Sequence, residues 1–171
     1  AWQVRAQLPG DDIERVFIRA SDDVWAVSGF GSIHHFNGVN WQTTPLPIRT
    51  LVIGALWGNS KTDIFAVGNG DDDEVGPTIL HFDGSAWKEV DGPGASNPGV
   101  GLGLAAVWGL APDDLWVTSG TQIYRYRGAS TGWVEVTHNI PNPPDFNALF
   151  VLAEDDYAVG GGAVNSEVIR V

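Results

Sequence analysis

Neither cysteine nor methionine occurs in this chain. Disulfide staples, thiolate nucleophiles and cysteine metal sites are therefore excluded. Basic residues are scarce: 9 Lys and Arg stand against 21 Asp and Glu, a formal charge of −12. Phosphate backbones are held by clustered cations, so nucleic acid is not an expected partner. No apolar run approaches the roughly 20 residues that span a bilayer as a helix, so no membrane span is expected. The opening Ala-Trp-Gln-Val carries neither a signal peptide nor an initiator methionine, which reads as a processed or excised piece. Gly-x-Ser-x-Gly and His-Glu-x-x-His are absent as well, and an enzyme is not expected. What remains, 171 residues with 43% hydrophobic content, suits one globular domain with a real core.

Repetition organises that domain. The stretch "DVWAVSG" at Asp23 returns as "DIFAVGNG" at Asp63, "DLWVTSG" at Asp114 and "DYAVGGG" at Asp156. An apolar stretch precedes each ("IERVFIRASD", "LVIGALWGNSKTD", "LAAVWGLAPDD", "FNALFVLAEDD"), and a third follows ("SIHHF", "TILHF", "QIYRY", "EVIRV"). A fourth opens on Trp in "NWQTTPL", "AWKEVDG" and "GWVEVTH", after turns holding Asn37-Gly38, Asp83-Gly84 and Arg127-Gly128. Asn-Gly and Asp-Gly are strong hairpin signals because a two-residue turn needs positive φ at both centres. No segment has a helical period.

Four short antiparallel strands recurring about every 40–45 residues predict the blades of a β-propeller. The fold expected is all-β, a four-bladed propeller spanning 1–171, with blades at about 10–47, 48–92, 101–138 and 144–171 and an outer strand at 1–8. The last repeat stops at "EVIRV" while the chain opens on "AWQVRAQL". The N-terminal strand is thus expected to complete the fourth blade and close the ring, removing exposed edges. The alternative is half of a larger propeller, dimeric where the closed ring is monomeric.

The stretch "AVWGLAPDDLWVTSGTQIYRYRGASTGW" resembles the "VWGV…IYR…W" repeat of tectonin-type propellers, and a fainter likeness covers nearly the whole chain. "FDGSAW" is similar to part of the Asp-box of sialidase-type propellers, with Asp83 directly before Gly84, and the glycines at 160–162 are similar to the kelch double glycine. The tectonin resemblance implies a lectin-like protein that recognises sugars and surfaces, and with it a secreted or cell-surface location.

Columns filled once per blade read as architecture. Trp2, Trp41, Trp87 and Trp133 open the outer strands. Phe17, Trp57, Trp108 and Phe150 share an inner-strand column, and Trp25, Phe65, Trp116 and Tyr157 are aligned in the second strand. One large aromatic per blade is most simply packing between blades. His35, His81, Arg125 and Arg170 form a cationic column in the third strand, and Asp23, Asp63, Asp114 and Asp156 an acidic one at the entry to the second. Buried polar groups need partners, so these two columns are expected to pair. His34 breaks its column, which otherwise holds Leu80, Tyr124 and Ile169.

If repetition marks scaffold, function belongs where blades differ. The connections after second and fourth strands vary most, at 68–77 and 91–103, and should share one face of the disc. Candidate ligand-binding residues there are Asn69, Asp71, Asp72, Asp73, Glu74 and Asn97, with His34 added. Asp71, Asp73 and Glu74 supply hard oxygen donors of the kind Ca²⁺ takes. The EF-hand spacing is missing, however, and a solvated acidic loop is the plainer expectation, with no cofactor. The run "GVGLGL" misses the dinucleotide spacing and leads into a strand. Two functions are expected to compete: a non-catalytic recognition module, for glycans, working through the long-loop face or the clefts between blades; and a protein-interaction scaffold of a larger secreted or surface protein.

Overall fold

The computed structural model describes residues 8, 12–29, 31–44, 46, 50–70, 77–93, 103–162 and 167–170. The protein is all-β, a β-propeller of four blades. Blade 1 is β1 (Ile13–Ala20), β2 (Asp23–Ser28), β3 (Ile33–Phe36) and β4 (Trp41–Thr44). Blade 2 is β5 (Thr50–Ser60), β6 (Asp63–Gly70), β7 (Pro77–Phe82) and β8 (Trp87–Val90). Blade 3 is β9 (Leu104–Ala111), β10 (Asp114–Ser119), β11 (Gln122–Arg127) and β12 (Trp133–Glu135). Blade 4 shows β13 (Phe146–Ala153), β14 (Asp156–Gly161) and β15 (Glu167–Arg170). Every sheet is an antiparallel meander in chain order. The N-terminal strand expected to complete blade 4, with Trp2, lies outside the described residues.

The sequence pattern of each strand follows from its place in the blade. Side chains alternate across a strand, so one set faces the preceding blade and the other the following one. Second strands are covered on both sides, which is why β2 and β10 are nearly all buried, their polar Asp23, Ser28, Thr118 and Ser119 included. Outer strands keep little but their leading aromatic: in β8, Trp87 is buried while Lys88, Glu89 and Val90 are exposed.

Three apolar cores fill the three successive junctions. Trp25, Val27 and Ile33 of blade 1 meet Ile53, Leu56, Leu80 and Trp87 of blade 2. Trp57, Phe65 and Ile79 of blade 2 meet Leu104, Val107 and Tyr124 of blade 3. Trp116 and Ile123 of blade 3 meet Phe146, Val151 and Tyr157 of blade 4. Burying 150–250 Å² per aromatic at about 25 cal/mol per Å² is worth roughly 4–6 kcal/mol each, against about 1–3 for a charge-assisted hydrogen bond. Packing between blades therefore dominates stability. At Gly109 the approach is close enough that a Cβ would lie 2.5 Å from the Trp57 ring.

Two expectations need correction. Tyr157 does not share the column of Trp25, Phe65 and Trp116. Phe17, Trp57 and Trp108 pair with those three, but Phe150 pairs with Ala158, and Tyr157 pairs with Val151. Tyr157 thus stands where Val24, Ile64 and Leu115 stand, facing the preceding blade, and its burial in the third core follows. The turns after β3 and β7 are not two-residue hairpins either. Each has four residues, with positive φ at Gly38 and Gly84 alone. The Asn37 carboxamide accepts from the Val39 and Asn40 amides, and the Asp83 carboxylate from those of Ser85 and Ala86. The side chain closes the turn, so the first residue needs no left-handed backbone.

Candidate functional site

The acidic and cationic columns meet inside each blade. Asp23 Oδ1 accepts from Trp25 Nε1 at 3.0 Å and lies 2.7 Å from His35 Nε2, while Arg19 donates to Oδ2. Asp114 takes both arms of Arg125, at 2.7 and 2.8 Å, and Trp116 Nε1 at 3.2 Å. Asp156 takes both arms of Arg170 at 2.9 Å. Burial works against the charge of Asp23, but the hydrogen bonds from Arg19 and His35 outweigh it and its pKa is lowered. Arg125 holds the Asp114 carboxyl below the usual range.

Blade 2 departs from this pattern. Phe65 replaces the tryptophan and has no N–H, and Asn59 stands where blade 1 has Arg19. Asp63 keeps His81, with Nε2 2.7 Å from Oδ1, but its Oδ2 is buried without a hydrogen-bond partner. The smaller aromatic also changes the packing. Trp25 stacks on His35 at 3.9 Å and reaches Phe82 and Trp87 edge-on, at 5.2 and 5.7 Å, closing the first junction. Phe65 stacks on His81 at 4.4 Å, and beyond it, beside the apolar core of the second junction, a gap is left toward the outer strands.

That opening is a cleft of about 630 Å³ between blades 2 and 3. Phe65, Ile79, His81 and the stretch from Val90 to Pro93 form one wall; Leu115, Tyr126 and Trp133 form the other. Pro112 and the turn residues Ala129, Thr131 and Gly132 edge it. Trp133 and Tyr126 pack with ring centroids 5.4 Å apart, and Trp133 Nε1 donates to the Asp91 carbonyl at 2.9 Å, tying the two blades together. Six residues lie between the paired Tyr126 and Trp133, where Phe36 and Trp41 or Phe82 and Trp87 enclose four, and Arg127 N donates to Gly132 O at 3.1 Å.

The residues singled out by sequence are distributed differently. His81 and Trp133 line the cleft, although both belong to repeated columns. Of the expected loop stretch 91–103, Asp91, Gly92 and Pro93 contribute. Asn69, exposed near the end of β6, lies against Gly103 just before β9. Asp71, Asp72, Asp73, Glu74 and Asn97 lie outside the described residues. His34 is buried on blade 1 with Nδ1 2.9 Å from Thr43 Oγ1, and burial lowers its pKa. The readable signals for the cleft were the change from Trp to Phe at 65 and the two extra residues before Trp133, both departures from the repeat.

No family model matches the chain, and no curated protein matches it. Among solved structures it is similar to YCF48 bound to D1 peptide, at 12% identity and a TM-score of 0.46, over 93% of this chain and 65% of that one. It is also similar to YCF48 from Cyanidioschyzon merolae, at 14% identity and a TM-score of 0.40, over 92% of this chain and 66% of that one. The chain thus spans about two thirds of the length of each. No helix among the described residues is long and apolar enough to cross a membrane.

Proposed function

We propose that the chain is a non-catalytic recognition module that takes a short extended segment of a partner protein in the cleft between blades 2 and 3. The observation that carries this is the cleft itself: about 630 Å³, walled by Phe65, Tyr126 and Trp133 and edged by Pro93 and Pro112. Its volume falls in the range of specific ligand sites, and its aromatic walls with a few polar groups suit apolar side chains on an extended backbone. Its lining includes His81, which is engaged by Asp63, and a single carboxylate residue, Asp91. Among the described residues no pair of free carboxylates faces the space, as hydrolysis of a glycoside would ask. With a formal charge of −12, the chain favours segments that carry Lys or Arg beside the apolar anchors.

A glycan is the second reading, favoured by the adjacent Tyr126 and Trp133 rings, which offer a platform for a sugar face. The two separate in one experiment: the chain is immobilised and exposed in parallel to a random-peptide display library and to a glycan array. Enriched peptides with an aromatic or aliphatic anchor and a basic neighbour, whose binding falls when Ala129→Trp fills the mouth of the cleft, are expected. Sugar binding without peptide enrichment would replace the protein ligand with a glycan.

A further inference from the structure

Each junction between blades joins two half-surfaces: the following face of one blade and the preceding face of the next. On the inner strands, Ile53 and Leu56 of blade 2, Leu104 and Val107 of blade 3, and Phe146 and Val151 of blade 4 form the preceding faces and are buried. The strand registers give blade 1 the same places. Val16 pairs with Ala26 as Leu56 does with Ala66 and Val107 with Val117; Ile13 pairs with Ser28 as Leu104 does with Ser119. Val16 is nevertheless 59% exposed and Ile18 67%, with Ile13 exposed beside them.

The far end mirrors this. Val168 pairs with Gly160 as Ile33 does with Val27 and Ile79 with Val67. Ile33 and Ile79 are buried, while Val168 is 85% exposed. Phe150 holds the place of the buried Trp57 and is 45% exposed even though its ring centroid lies 4.5 Å from that of Trp108, with Leu152 exposed next to it. Among the described residues, three junctions use three preceding and three following faces, and one face of each kind is left over.

We propose that these two faces are the halves of a further junction made with a second copy of this chain, blade 4 of each copy packing on blade 1 of the other. The occupant follows from the repeat: what covers a following face at all three internal junctions is a preceding face of this same design, and the chain carries one uncovered example of each. A head-to-tail contact of this kind closes when a two-fold axis brings both pairs together at once. Left in water, two apolar patches on opposite ends of a chain would be association sites in any case.

The absence of cysteine allows a direct test, since an introduced thiol has no competitor. Across the second junction Trp57 lies over Gly109, and the matching positions across the copies are Phe150 and Ile18. A chain carrying both Ile18→Cys and Phe150→Cys is expected to oxidise to a covalent dimer, whereas either single variant stays monomeric on a non-reducing gel. In sedimentation the unmodified chain is expected at twice 18.3 kDa. The Val16→Asp, Ile18→Asp chain is expected to be monomeric, and mixing it with a Phe150→Asp, Leu152→Asp chain restores a mixed dimer through the intact pair of faces. Val16, Ile18 and Leu152 are exposed within one chain, whereas the Phe150 ring also packs on Trp108, so far-UV spectra and cooperative unfolding are required of each variant before its mass is read. A monomeric unmodified chain would overturn the proposal and leave these faces to another occupant. A dimer that survives Val16→Asp, Ile18→Asp, or mixed variants that remain monomeric, would overturn the head-to-tail arrangement.

Discussion

His81 Nε2 lies 2.7 Å from Asp63 Oδ1, while the second oxygen of that carboxylate is buried without a partner. The same aspartate in blades 1 and 3 has an indole N–H and an arginine to satisfy it. Leaving a buried acceptor unpaired costs about 1–3 kcal/mol. In those blades the arginine serves the second oxygen and the indole the first, so Phe65→Trp should add an indole donor to Oδ1 beside His81 and fill part of the open junction, stabilising the fold by about 1–2 kcal/mol mostly through packing. Urea unfolding at neutral pH checks it: the midpoint should rise, and a fall would mean that the cleft does not accommodate the larger ring.

Trp25 gives the converse. It is fully buried, stacks on His35 and donates to Asp23. Trp25→Phe copies blade 2 and should cost about 1–2 kcal/mol, mostly through the lost hydrogen bond. Trp25→Ala should cost roughly 3–5, because a cavity replaces the ring. Equal costs for the two would contradict the division between packing and hydrogen bonding.

Arg125 and Asp114 make the blade 3 pair sensitive to acid. Arg125 lowers the Asp114 pKa in the folded chain, so the pair's stabilisation is complete above the unfolded carboxyl value of about 4 and is lost as pH falls through the lower folded value. Arg125→Gln should destabilise the chain by about 2 kcal/mol at pH 7, given partial exposure of the pair. The gap between variant and parent should narrow when unfolding is measured under strongly acidic conditions, and a gap independent of pH would contradict the pairing.

His34 should act in a different window. Burial lowers its pKa in the folded state, so the unfolded chain takes up a proton first as pH drops through about 6.5, and stability declines from there down to the folded value. His34→Leu, which copies Leu80 of the next blade, should remove that decline. Thermal midpoints on either side of the histidine range check this, and an unchanged slope in the variant would locate the acid sensitivity elsewhere.

The architecture was legible because each blade restates it. Asp23, Asp63, Asp114 and Asp156 mark the start of every second strand, and the Trp at 41, 87 and 133 marks the outer strand. Alignment by aromatic type misplaced Tyr157 by one residue, and in a strand one residue is a change of face. The Asn-Gly and Asp-Gly turns were recognisable as turns, but their length was not, since a capping side chain performs what a left-handed backbone would. The cleft was the least legible part. A column residue such as Trp133 packs and lines a cavity at once, and sorting by repetition assigns it to scaffold alone. Its trace was Phe65, a smaller ring where Trp25 and Trp116 stand in the blades on either side, whose consequence depends on the blade opposite.

The central claim is that the gap left by Phe65 is where a partner segment binds. The direct measurement is calorimetric titration of a library-selected peptide into the unmodified chain and into the Phe65→Trp chain. The account predicts affinity weakened by about tenfold or more, at least 1.4 kcal/mol, in a chain that is no less stable than its parent. Unchanged affinity in the Phe65→Trp chain would contradict it.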